Sequence, residues 1–273
     1  PNNHFNTDLI SGLVILAVVS LVIFGGIKRI GKVASKMVPA MVVLYVGSVA
    51  YILLVHVDVL GEYLLLIVTD AFTANSVMGG AVGALIITGV RRAAFSNEAG
   101  IGTATLAHGA AKTKEPVREG LVAMMGPFID TLVVCTMTAL AILVTGVWTS
   151  GDVNGISLTA SAFQEAMGPI GVYVLMVCVL IFAFSSLFTY SYYSTKCLGF
   201  LAGAERQKYF NYFYAAAIIF GSVATIEAVL NFTDGMFALM AIPTMTAAIL
   251  LSPKVMSAAH DYFDRMKNES LQD

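Results

Sequence analysis

The chain has 273 residues, of which 58% are hydrophobic and 12% charged, with a formal net charge of −2; its mean hydropathy is +0.83. A soluble domain carries about 25% charged residues, and a soluble core of this length cannot hide so much apolar surface. Three cysteines are too few for a secreted disulfide scaffold, the apolar content excludes a disordered chain, and the acidic balance offers no basic face to nucleic acid, which leaves a polytopic membrane protein.

A bilayer core of about 30 Å takes roughly 20 apolar residues per helix. Such runs lie at 9–27 and 37–55. A third, 62–90, is apolar but interrupted at 73–80 by Thr-Ala-Asn-Ser-Val-Met-Gly-Gly. Four more are expected at 121–147, 171–198, 209–230 and 235–251, the last containing Pro243. Short helices are expected outside the spans at 158–167 and within 96–116, with an interfacial tail at 258–267.

The charges test this layout. Lys and Arg collect on the cytoplasmic side of membrane proteins. Seven spans put all fifteen Lys and Arg on one side, from Lys28 and Arg29 through Arg91, Lys112 and Lys208 to Lys267. The other side holds acids such as Asp58, Glu62, Asp152, Glu165, Glu227 and Asp234. The N-terminus is therefore expected outside and the C-terminus in the cytoplasm. The sequence opens on Pro1 without a signal peptide, so residues 1–273 are expected to form a single transmembrane domain of a longer chain.

The third span carries the strongest chemical signal. A helix in lipid satisfies its own backbone groups, and a break at that depth is tolerated only where it lines a cavity. Transporters use such breaks to hold a carboxylate and a cation. Asp70 sits just before the break at 73–80. A second reading is that Gly79, Gly80 and Gly83 form a close-packing face.

In the fifth span, Ser185, Ser186 and Thr189 place hydroxyls one turn apart, and Tyr190 follows Ser186 by four residues. Hydroxyls with a freed carbonyl suit a small hard cation. The plainer alternative is that they bond back to their own helix or to a neighbour. Asp130 is the one acid in the middle of the fourth span. Three readings stand beside one another: a coupling site, a protonated helix–helix hydrogen bond, or a group in a wet inner vestibule.

Enzymatic constellations are missing from the sequence. The four His have no metal-ligand spacing, the cysteines read as small packing residues, and no Gly-Lys-Ser/Thr phosphate loop occurs. Transport, rather than catalysis, is expected, driven by gradients.

The stretch Gly89-Val-Arg-Arg-Ala-Ala-Phe-Ser-Asn-Glu-Ala-Gly-Ile-Gly-Thr-Ala resembles the signature of the alanine or glycine:cation symporter family. The likeness continues through Ala107-His-Gly-Ala-Ala-Lys-Thr-Lys-Glu-Pro-Val-Arg-Glu-Gly and Phe128-Ile-Asp-Thr-Leu-Val-Val-Cys-Thr. It extends to Phe182-Ala-Phe-Ser-Ser, Ser191-Tyr-Tyr and Gly26-Ile-Lys-Arg-Ile-Gly-Lys-Val, and so covers essentially the whole chain.

The resemblance implies an all-α polytopic fold: seven transmembrane helices, part of a five-plus-five inverted-repeat transporter with a discontinuous third helix. On that template the chain starts at the fourth core helix, and the N-terminal helices of the full transporter are missing. The resemblance implies import of a small neutral amino acid, alanine or glycine, coupled to sodium or protons in a bacterial or archaeal cell membrane. Sodium would be the coupling ion, with no cofactor and no nucleic-acid partner.

Carried over by position, Phe72, Thr73 and Asn75 fall at the pocket-lining break, and Ser186 and Tyr190 fall against the substrate. The Phe182 carbonyl with Ser185 and Ser186 matches half of a sodium site. Tyr190 stands where the family usually has Trp, and Ser186 where it often has Thr. Ser96 to Gly100, with Glu98, is expected as an inner-gate or helix-capping element at the cytoplasmic end. Asn97 or Glu98 would bond free helix-end amides there.

The competing reading is a seven-helix receptor or retinal protein. No lysine lies mid-span to form a Schiff base, and the broken third span does not suit it. A channel is a weaker option, since no repeated filter-like loop occurs.

Overall fold

The computed structural model describes residues 2–71, 81–151 and 155–270. The described residues are almost entirely helical. Helix α1 (Asn2–Ile23) has no proline, and a turn at Phe24–Gly25 with Gly26 at φ +70° leads into α2 (Gly26–Val55). Thirty residues rise about 45 Å, so α2 outruns the bilayer core and carries Lys28, Arg29, Lys32 and Lys36 on its first turns. It stops at His56, whose Nδ1 lies 2.9 Å from the Ile52 carbonyl.

Helices α3 (Val57–Ala71) and α4 (Ala81–Ser96) flank the expected break, which lies outside the described residues. Two short helices follow, α5 (Glu98–Ile101) and α6 (Ala104–His108), where one short helix is expected within 96–116. Helix α7 (Pro116–Pro127) runs into a π-helical segment (Phe128–Cys135) and on into α8 (Thr136–Val144). The cause of the change of pitch is at hand: Pro127 has no N–H for the i−4 carbonyl and its ring crowds that group.

Helix α9 (Ile156–Met167) matches the helix expected at 158–167. Gly168, at φ +67°, turns the chain into α10 (Pro169–Ala202), with proline at the position that needs no N–H. Then come α11 (Phe210–Val223) and α12 (Ile226–Ser270).

Among the described residues, five helical stretches are long and apolar enough to cross a bilayer: Phe5–Ile23, Gly26–Val55, Pro116–Val144, Pro169–Ala202 and Ile226–Asn268. Helix α11, with 14 residues, rises only about 21 Å. One expected boundary moves. Residues 231–234 were expected between the sixth and seventh spans, but they are helical within α12, and the chain is extended at Ala224 instead. Thr233 is accommodated inside this helix, its Oγ1 donating to the Val229 carbonyl at 2.8 Å.

The chain forms two compact units. The first, Pro1–Leu85 with Val133–Thr225, has two apolar centres. Val49, Ile52, Ala141, Val144, Phe163 and Leu175 make one; Val19, Ile23, Ile30 and Phe188 make the other. Tyr45 of α2 stacks on Phe163 and bonds Thr138 of α8 at 2.6 Å. The second unit, Ile86–Leu132 with Ile226–Asp273, holds the buried Ile101 and Thr103. Large side chains such as Leu54, Phe200 and Ile249 stand exposed along the long helices, as lipid-facing residues do.

Candidate functional site

Three of the residues expected to line the substrate pocket, Phe72, Thr73 and Asn75, lie outside the described residues. Asp70 is exposed at the last turn of α3. The other pocket and cation candidates all sit on α10, in the first unit.

Helix α10 is unbroken from Pro169 to Ala202. Phe182, Ser186 and Tyr190 follow at intervals of four and form one stripe. Ser185 is buried on the side that also buries Phe188, whereas Ser186 and Tyr190 are half-buried. Adjacent residues point about 100° apart on a helix, so the two serines serve different faces. Ser185 Oγ donates to the Phe182 carbonyl at 2.8 Å, and Thr189 Oγ1 to the Ser185 carbonyl at 2.9 Å. The Phe182 carbonyl is thus inside a regular helix and takes a hydroxyl bond as well. To meet a cation there, the Ser185 hydroxyl would turn its proton away.

Tyr190 packs edge-on against Tyr193, with centroids 5.8 Å apart. Tyr214 of α11 donates its hydroxyl to the Leu187 carbonyl at 2.9 Å, fixing the same stretch of α10 from outside. Of the cysteines, Cys178 is buried as a packing residue, while Cys135 and Cys197 are exposed.

A second polar cluster lies in the other unit, and sequence reading did not assemble it. Asn97 is extended (φ −126°, ψ 154°) and ends α4 at Ser96. Its Oδ1 accepts from Gly100 N at 3.0 Å, capping α5 as expected. Its Nδ2 donates to Thr131 Oγ1 at 3.0 Å and to the Ala93 carbonyl at 3.3 Å. Ser96 Oγ lies 3.1 Å from Asp130 Oδ2 and 3.1 Å from Thr131 Oγ1. Glu98 opens α5, and its carbonyl accepts from Gly102 N at 2.8 Å.

The cluster stands beside the π-helical segment, which begins 12 residues after Pro116. That rise is about 18 Å along α7, so Ser96 and Asn97 sit at the level of Asp130 within the fourth span. Asn97 and Thr131, with Val90, Ala93, Phe128 and Leu132, line an open groove of about 560 Å³. The missed partner was Thr131. The available signal was Pro127, which marks the irregular turn that brings residues 130 and 131 to this position.

Long apolar helices with polar clusters inside them define a multi-pass membrane protein. The chain belongs to the sodium:alanine symporter family, which it matches over residues 2–273. It is 36% identical to the sodium/alanine symporter AgcS of Methanococcus maripaludis, over 98% of this chain and 60% of that protein. It is 37% identical to the probable sodium/glutamine symporter GlnT of Bacillus subtilis, over 97% of this chain and 56% of that one. A sodium/proton-dependent alanine carrier protein of Bacillus sp. strain PS3 is 29% identical, over 95% and 62%. The chain thus spans a little over half the length of these curated relatives. Membership in a transporter family leaves the receptor reading without support.

Proposed function

We propose that this chain is part of a secondary active transporter that imports a small neutral amino acid, alanine or glycine, together with sodium. The observation that carries this reading is the family match along residues 2–273, with relatives named as sodium/alanine and sodium/glutamine symporters. Alternating access would proceed by one helix bundle rocking against another around a midplane site. Substrate contacts are assigned to Phe72, Thr73 and Asn75 with Ser186 and Tyr190, and sodium to the Phe182 carbonyl, Ser185 and Ser186. The placement of Lys and Arg supports an N-terminus outside and a C-terminus in the cytoplasm. Tyr190 is the residue to watch for pocket size, because glutamine needs more room than alanine.

The test is uptake of labelled alanine, glycine and glutamine into proteoliposomes, made with the protein encoded by the complete reading frame that holds this chain. A sodium gradient is compared with choline at equal ionic strength. Sodium-driven accumulation of alanine or glycine supports the reading. Accumulation without sodium, or of glutamine alone, overturns the coupling or the substrate assignment respectively.

A further inference from the structure

We infer that Asp130, Ser96 and Thr131, with the carbonyl of Ala93, form a sodium site distinct from the one assigned to α10. This deepens the transport reading and rests on it.

The first argument is a count of donors and acceptors. Ser96 and Thr131 have two hydroxyl protons between them for three contacts: Ser96 Oγ lies 3.4 Å from Ala93 O, 3.1 Å from Asp130 Oδ2 and 3.1 Å from Thr131 Oγ1, and in the last either hydroxyl can donate. The Asn97 amide serves Thr131 and Ala93 and is not seen to serve Asp130. An ionised carboxylate accepts up to about four hydrogen bonds, and this one has a single hydroxyl within reach among the described contacts. At the depth of a membrane span such a carboxylate is costly without a positive partner. Arg92, one turn before Ser96 on α4, is exposed and makes no ion pair among the described residues. The cluster therefore has surplus lone pairs and a negative charge, the two properties a cation corrects.

The second argument is geometric. Oxygens bound at about 2.3–2.6 Å to a hard cation stand roughly 3–3.5 Å apart along neighbouring edges. Calcium sets that distance, and sodium is close to it in size. Ser96 Oγ already stands 3.1 Å from both Asp130 Oδ2 and Thr131 Oγ1. One carboxylate with neutral oxygens balances one positive charge, which favours a monovalent ion over a divalent one.

The third argument is the backbone. Helix α4 ends at Ser96 with Asn97 extended, and the Ala93 carbonyl in its last turn is met by side chains, Asn97 Nδ2 at 3.3 Å and Ser96 Oγ at 3.4 Å. A helix C-terminus is the negative end of the dipole and is a known way of holding a coupling ion in transporters. The π-helical segment that presents Asp130 and Thr131 is an irregularity of the kind found at functional sites. The open groove beside Asn97 and Thr131 gives the site an approach.

The test is binding of radioactive sodium to the purified protein from the complete reading frame, with choline holding ionic strength constant. The variants are D130N, S96A, T131V and, for the α10 site, S185A. We expect D130N to raise the half-saturating sodium concentration about tenfold or more, as loss of a metal-site group does. We expect S96A and T131V to raise it several-fold. If D130N does not fold, S96A and T131V, which keep the charge, decide. Wild-type sodium binding in D130N, S96A and T131V overturns the inference and makes Asp130 a simple hydrogen-bond acceptor. So does unchanged sodium stoichiometry with loss of proton uptake in D130N, which makes Asp130 a proton carrier. Sodium-driven uptake altered only by S185A sinks this site and leaves the transport reading standing. A wild-type protein with neither sodium binding nor sodium-driven uptake sinks both.

Discussion

Ser185 and Thr189 of α10 and Ser96 and Asn97 at the junction of α4, α5 and the π-helical segment use side-chain hydrogen bonds in opposite ways. On α10, Ser185 and Thr189 bond carbonyls three and four residues back on their own helix. At the junction, Ser96 and Asn97 reach residues 34 and 35 positions away. A hydroxyl that folds back satisfies itself wherever its helix goes. One that reaches across ties two elements together and depends on their spacing. Polar residues inside spans are thus of two kinds, and only the second reports tertiary structure.

The sharpest challenge to this contrast is Gly102→Ala. Gly102 closes α5 at φ +86°, and an added Cβ would meet the Thr244 side chain. The left-handed conformation alone costs about 1–2 kcal/mol for a residue with a Cβ, and the contact with Thr244 adds to it. A loss of about 2 kcal/mol or more is expected in reversible denaturant unfolding. Thr244→Ala in the same chain should return part of it, as a double-mutant cycle shows.

Asn97→Ala should come next, at about 1–2 kcal/mol. It removes the α5 cap and the bond to Thr131 together. Hydrogen exchange is the suitable probe, with faster exchange at Gly100 than at sites in α10. Tyr45→Phe removes another bond between elements, the 2.6 Å contact with Thr138. About 1 kcal/mol should be lost, read as a drop in thermal midpoint with the stacking on Phe163 kept.

Ser185→Ala is the control for the folded-back class. Among the described residues its hydroxyl bonds its own helix alone, so stability should change by about 0.5 kcal/mol or less. A larger loss would erase the distinction between the two classes. The smallest effect belongs to Arg265→Ala, which removes the exposed forked pair with Glu115 at 3.0 and 3.3 Å. A few tenths of a kcal/mol are expected, vanishing in high salt.

Much of the layout is legible from local rules. The helix at 156–167, the presence of short helical structure within 96–116 and the Asn97 cap follow from period, glycine and capping residues. The fifth span emerges as one long helix because nothing in Pro169–Ala202 interrupts it. Residues 231–234 show where such rules stop. A polar patch reads as a loop, yet the helix runs on through it with the Thr233 hydroxyl bonded to its own helix. The Ser96–Gly100 stretch shows the same for the site: its capping role was readable from Asn97, whereas its position beside Asp130 was not.

The sequence by itself determined the class of protein, the placement of charge along the chain and the candidate hydroxyls of α10. Hydropathy, charge and helical spacing act over one or a few turns, so they are written in consecutive residues. Only the tertiary structure decided that Asp130 meets Ser96 and that Asn97 meets Thr131. That meeting depends on where α4 ends and on how the helix after Pro127 widens. Each is marked locally, by Asn97 and by Pro127, but that the two places lie side by side follows from packing between segments more than 30 residues apart.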